Sequence, residues 1–233
     1  TEDAMSFSSG VKDELSRQNL ESDFDNYTKF ILVDSDWREI ARMEKEQVEV
    51  LNISTPGASD RLRKENRGDF FKKFVHPDYD VIKLGPNGSA RDRVTGKIKF
   101  YDNAEGGSTN DVKFRNIIQT IFNTDWSDKT NLRVDVMILA GLSGGNGSGT
   151  FEELAVHARE ACRRAGATEV RVFGYLFLPD TVEAFERENL EALKSIYING
   201  YSALKELESY MSIPSYPPDK ALLQVLPILL KPD

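Results

Sequence analysis

The stretch "VDVMILAGLSGGNGSGTFEELA", Val134 to Ala155, constrains the fold of this chain more than any other. An unbroken apolar, β-branched run meets five glycines within the nine residues Gly141–Gly149, and a segment with helical spacing follows. Glycine weakens a strand or helix by about 0.5–1 kcal/mol relative to alanine. So many at one strand-to-helix junction demand a reason, such as a group that must come close to the backbone. A bare connection of this kind commonly takes only about 2–6 residues.

The glycines do not match the common phosphate loops. G-x-x-x-x-G-K-[ST] finds its glycine spacing at Gly144 and Gly149, but Thr150 stands where the lysine belongs. G-x-G-x-x-G fails too, because Gly145 and Gly147 are followed by Thr150. What remains is a strand, a run of small residues and a helix whose first-turn amides have no intrahelical partner, which together form an anion cradle. Gly141, Gly144, Gly145, Gly147 and Gly149 admit an anion to the amides, while Ser143, Asn146, Ser148 and Thr150 offer side-chain donors. The competing reading is a flexible surface loop.

Two other apolar runs, "KFILVD" (Lys29–Asp34) and "EVRVFGYLFL" (Glu169–Leu178), accompany "RVDVMILA" (Arg133–Ala140). All three are unbroken enough to predict strands buried on both faces. Helical spacing marks residues 11–20, 61–75, 112–122 and 151–164, and one long stretch from Val182 to Met211. Alternating strands and helices predict an α/β fold, a parallel sheet flanked by helices. The polar, turn-dense segment Leu84–Asp111 predicts loops around a short hairpin. We divide the chain into a domain over 1–212, lacking its first strand, and a Pro-rich extension or start of a second region over 213–233, whose helical reading Pro227 interrupts.

Composition excludes several function classes. A net charge of −8 argues against a broad basic surface for nucleic acid. The lone Cys162 forms no internal disulfide, and His76 and His157 lack zinc spacing. A cytoplasmic setting is the expectation. No apolar stretch approaches the roughly 20 residues of a membrane-spanning helix.

"SGGNGSG" (Ser143–Gly149) resembles the tubulin and FtsZ signature G-G-G-T-G-[ST]-G, with a serine for its first glycine and Asn146 for its threonine. "KFILVDSDW" is similar to the family strand that ends in V-D-L-E-P or I-N-T-D, which places Asp34 and Asp36 on its acidic or polar positions. Two acids at i and i+2 beyond a strand can hold a hydrated Mg²⁺ beside phosphates. "DSD" is also an ordinary turn. "MSFSSGVKDEL" places Ser8, Ser9 and Gly10 where the family has its first loop, without the usual G-x-G-G-x-G. "NGSARDRVTGKIKF" sits where the family senses the γ-phosphate, through Gly88, Ser89 and Ala90, with Arg91 or Arg93 to neutralise it. "NGYSALKEL", from Asn199, resembles the bacterial tubulin-like N-x-Y-x-A-L-K-E-L run. There Asn199 meets the base or ribose and Tyr201 stacks, unless Tyr197, Tyr201, Leu204 and Met211 are simply a packed face. Glu183 and Arg187 share the spacing of the FtsZ E-x-x-x-R, which contacts ribose.

The resemblance implies a tubulin/FtsZ-like, Rossmann-like GTPase domain binding GTP or GDP with Mg²⁺. It implies a head-to-tail homopolymer, a cytoskeletal filament in which hydrolysis is completed by the neighbouring subunit. No catalytic acid is recognisable in this chain, and Glu152 and Glu153 suit a helix's first turn without any chemical role. The alternatives are a non-polymerising nucleotide-binding switch or scaffold module, and an enzyme holding a sugar phosphate. Under this reading Asn146→Thr preserves or improves nucleotide affinity.

Overall fold

The computed structural model describes residues 28–44, 49–54, 88–89, 91–104, 109–122, 132–211 and 224–227. Strand β1 (Ile31–Asp34), helix α1 (Trp37–Glu44) and strand β2 (Glu49–Asn52) form a parallel β-α-β unit, with Ile31 opposite Glu49 and Asp34 opposite Asn52. Asp34 ends the first strand because its Oδ1 accepts the amides of Ser35 (2.6 Å) and Asp36 (2.9 Å) and turns the chain. Asp36 then caps α1 by accepting the Arg38 amide at 3.0 Å.

Helices α2 (Arg93–Ala104) and α3 (Thr109–Phe122) lead to strand β3 (Arg133–Gly141). The hairpin expected within Leu84–Asp111 is therefore corrected, since α2 occupies its centre. Local signals account for it: Asp92 caps the helix through the Val94 amide (3.0 Å) and the Thr95 hydroxyl (3.1 Å). Gly96 sits inside α2 because another backbone lies against it, so a turn-rich composition concealed a packed helix.

Helix α4 (Gly145–Ala165) joins β3 to strand β4 (Glu169–Phe177), and the two strands pair in parallel from Arg133↔Glu169 to Gly141↔Phe177. Gly166, at φ 112°, closes α4 in the left-handed region, and the Gly166 and Ala167 amides return to Arg163 O and Cys162 O. The long stretch expected as one helix is two, α5 (Asp180–Glu186) and α6 (Leu190–Met211). Asn189 makes the break, because its side chain accepts the Ala192 amide at 3.1 Å and starts a new helix. Strand β5 (Gln224–Pro227), within the segment read as an extension, pairs in parallel with β4.

The described strands make a two-stranded sheet, β1-β2, and a three-stranded sheet, β3-β4-β5. One apolar core nevertheless spans both. Phe114, Ile117, Ile118 and Phe122 of α3 and Ala158, Ala161 and Cys162 of α4 pack on Ile31, Val33 and Leu51 from one sheet and on Val134 and Val136 from the other. A second cluster joins Phe151 and Ala155 of α4 and Ala203 and Leu207 of α6 to Ile138, Ala140, Val172 and Leu176. Each Val, Leu, Ile or Phe among them contributes about 1.5–3 kcal/mol when fully buried.

Burial on both faces holds for none of β3's length. Its residues alternate, with Ile138 and Ala140 inward and Met137 (54 % exposed) and Leu139 outward. The outer face carries a polar pair instead: Arg171 donates to Asp135 across the strands at 2.7 Å and lies over the Phe173 ring.

Candidate functional site

The parallel strands direct the Asp34–Asp36 turn, the 88–92 loop and the Leu142–Gly144 loop to one place, where Asn146 ties them together. Its Oδ1 accepts Ser35 Oγ at 2.9 Å and also the Ser89 hydroxyl, while its Nδ2 donates to Asp34 Oδ1 at 2.9 Å. Ser35 is fully buried and lies 3.2 Å from Ser89 through their hydroxyls. Segments more than fifty residues apart thus meet on one carboxamide. The sequence reading missed Ser35, whose only signal was its place between two aspartates.

Asn199 performs the same task from α6. It is buried, and its Nδ2 donates to Arg91 O (2.7 Å) and Ser143 O (3.0 Å), which fixes both loops to the helix. The structure brings Asn199 to the site but not Tyr201, which is 66 % exposed. Residues two apart on a helix point to nearly opposite sides. Glu183 accepts the Tyr197 hydroxyl at 2.7 Å, Arg187 is exposed beyond the end of α5, and Arg91 pairs with Glu186. Arg91 also holds a left-handed φ of 60°, a strain that arginine tolerates only where its surroundings hold it. Gly88 and Ser89 belong to the site; Ala90, with Ser8, Ser9 and Gly10, lies outside the described residues.

The glycines divide into two groups. A Cβ on Gly145 would stand 2.6 Å from Asp92 O and 2.7 Å from Ser89 Cβ. One on Gly149 would strike Arg93 O, one on Gly96 would strike Gly145 O, and one on Gly147 would strike Gly141 O. These residues are glycine because α2 and the end of β3 press directly on the first turns of α4. Gly141 and Gly144 differ, since a Cβ on either meets nothing within 4 Å. They border open space.

The hydroxyls divide in the same way. Ser148 donates to Gly144 O and Thr150 to Asn146 O at 2.8 Å, both inside the helix. Among the described residues the buried Ser143 Oγ has no hydrogen-bond partner, and the N-cap of α4, Gly144, has no side chain to cap it. The first turn of a 21-residue helix therefore presents its amides and its positive dipole end at the loop. Asp34 concentrates its three hydrogen bonds on Oδ1, so Oδ2 is available to a hydrated cation. Burial pushes the Asp34 carboxyl up, despite the amide hydrogen bonds of Asp36 and Ser35. The Arg38 guanidinium holds Asp36 down, binding its oxygens at 3.1 and 2.9 Å. Among the described residues no group of three or more His, Cys, Asp or Glu is placed to hold a metal ion.

Under the cradle lies a buried charge network. Arg93 grips Glu206 of α6 at 2.6 and 2.9 Å and Ser148 O at 2.8 Å, so it serves the packing of the helices rather than an open loop. Lys97 reaches Glu206 at 2.9 Å, Glu153 at 3.5 Å and Glu152 at 3.9 Å. Burial, then the charge and shared hydrogen bond of Glu206, raise the Glu152 carboxyl to about 8. Burial opposes ionisation of Glu206 as well, but the hydrogen bonds of Arg93 and Lys97 outweigh it and hold that carboxyl well below the usual range. The network thus favours the protonated form of Glu152 beside an ionised Glu206. The sequence reading had given Glu152 only a place in a helix's first turn.

Fold and site together describe an α/β protein of short parallel strands whose loops converge on the N-terminal turn of a long helix. A family described as tubulin-like matches residues 8–224, and the chain belongs to that tubulin-like family. No curated protein and no solved structure matches it. No described helix is long and apolar enough to cross a membrane.

Proposed function

We propose that this chain is a Rossmann-like GTPase domain that binds GTP with Mg²⁺ and assembles head to tail, with hydrolysis completed by the neighbouring subunit. The observation that carries the reading is the uncapped N-terminus of α4, directly after β3, with the unpartnered Ser143 Oγ beside it. Such an end is suited to phosphate, and a nucleotide is the phosphate ligand that membership of the tubulin-like family favours.

In this reading Gly141, Ser143 and Gly144 meet the phosphates by close approach of the backbone. Asp34, through Oδ2, and Asp36 hold the hydrated Mg²⁺. Gly88, Ser89 and Arg91 face the terminal phosphate. Asn199 offers Oδ1 to the base or ribose, its amide nitrogen being occupied by the two loops. Gly145, Asn146 and Gly147 offer the first-turn amides of α4 to the phosphates, while their packing against α2 and β3, the close fit of Gly149 and the Asn146 side chain shape the cradle.

Calorimetry with a nucleotide panel, followed by light scattering with GTP and a slowly hydrolysed analogue, tests the proposal. GTP binding followed by assembly that reverses upon hydrolysis is the expected result. GTP bound at fixed monomer mass at high protein concentration removes the filament, and no preference for a purine triphosphate removes the nucleotide.

A further inference from the structure

Lys99 lies on α2 and is fully buried, a rare condition for lysine. Among the described residues its ammonium meets one hydrogen-bond acceptor, Gly88 O, and no carboxylate within ion-pairing distance. Two of its three N–H groups are unused, and burial holds its basicity below that of an ordinary lysine, with Asp34 and Asp36 as the charges that favour its protonated form. Burying a cation without a paired anion is costly. Packing does not explain it, since methionine would fill similar space without that cost.

The placement gives the reason. In a trans peptide the C=O of one residue and the N–H of the next point in opposite directions. Lys99 holds Gly88 O from within the protein, so the Ser89 N–H is turned to the other side, and among the described residues no group accepts it. On that side the Ser89 hydroxyl joins Asn146 and Ser35 beside the start of α4. A buried positive charge thus stands directly behind the Ser89 peptide, whose N–H points away from it beside the start of α4.

We propose that Lys99 is the positioning cation of this site. It aims the Ser89 amide at the terminal phosphate of a nucleoside polyphosphate and supplies from behind the loop the charge that a P-loop supplies with its lysine. The proposal rests on the nucleotide reading above, and it predicts discrimination by phosphate number.

The test compares the native chain with Lys99→Met, Lys99→Gln and Lys99→Arg by calorimetry against GTP, GDP and GMP in Mg²⁺, with thermal melts of the ligand-free proteins. Lys99→Met is expected to weaken GTP at least tenfold, GDP less and GMP under twofold, at an unchanged or raised melting temperature. Lys99→Arg should recover most of the GTP loss. Lys99→Gln keeps a donor for Gly88 O and must show the same graded loss, and it decides the matter if Lys99→Met does not fold. Equal losses for all three nucleotides, or none for GTP, overturn the proposal while leaving the nucleotide site standing. A native chain that binds none of the three removes the nucleotide reading, and this role with it.

Discussion

At the scale of single residues, the departure from the family signature at position 146 has become the centre of the site. Asn146 accepts two hydroxyls and donates to one carboxylate, a set that a hydroxyl on a shorter side chain cannot reproduce. Each such bond contributes about 0.5–1.5 kcal/mol. Asn146→Thr is therefore expected to lower stability by about 1–3 kcal/mol, a cost separate from the effect on nucleotide affinity expected from the signature. Chemical denaturation measures it, and a midpoint equal to that of the native chain would show that the carboxamide holds nothing together. Asn199 was singled out in the sequence by the likeness of its segment to the bacterial tubulin-like N-x-Y-x-A-L-K-E-L run. Its role as a brace on Arg91 O and Ser143 O was not legible there, since those carbonyls come from loops 108 and 56 residues away.

At the scale of elements, the contact of α2 with α4 decides which glycines are replaceable. Gly96→Ala drives a methyl group into the Gly145 carbonyl and is expected to cost about 1–3 kcal/mol or more. Gly144→Ala meets nothing and keeps an ordinary extended backbone, φ −87° and ψ 169°, so stability should hold within about 0.5 kcal/mol. Equal melting temperatures for the two variants would refute the packing. Gly145→Val fails as a clean probe of ligand binding because it collides with Asp92 O. The charge network under these helices also has a definite pH signature. Folded Glu152 keeps a proton that the unfolded chain releases above the ordinary value of 4.5, so its contribution to stability declines as pH rises from there to about 8. Glu206 acts in the opposite sense, stabilising above the ordinary carboxylate range and losing that contribution as pH falls below it. Glu152→Gln should match the native chain near pH 5 and exceed it by about 1–3 kcal/mol near pH 8.5. A difference independent of pH, read from melts across that range, would contradict the buried neutral acid.

At the scale of the whole molecule, α3 and α4 make one core for strands that pair in two groups. Phe114 is buried in it and lies 5.6 Å from the His157 ring. Phe114→Ala is expected to cost about 3–5 kcal/mol and to shift one cooperative transition; two separated transitions in calorimetry would mean that the sheets have independent cores. Much of this architecture was legible beforehand. Apolar runs at Lys29–Asp34, Arg133–Ala140 and Glu169–Leu178 predicted the strands to within two residues, and their alternation with helical spacing predicted the parallel pairing, because both patterns are local. The junction at Gly141–Gly149 likewise announced a strand-to-helix turn through its residue types alone. The tertiary structure alone decided that α2 fills a turn-rich segment, that three of the five glycines yield to neighbouring backbone while a Cβ on Gly141 or Gly144 meets nothing within 4 Å, that Ser35 bonds Asn146 and that a buried Lys99 holds Gly88 O. Those facts depend on which distant surfaces press together, and a periodicity read along one segment carries no information about the backbone that will lie against it.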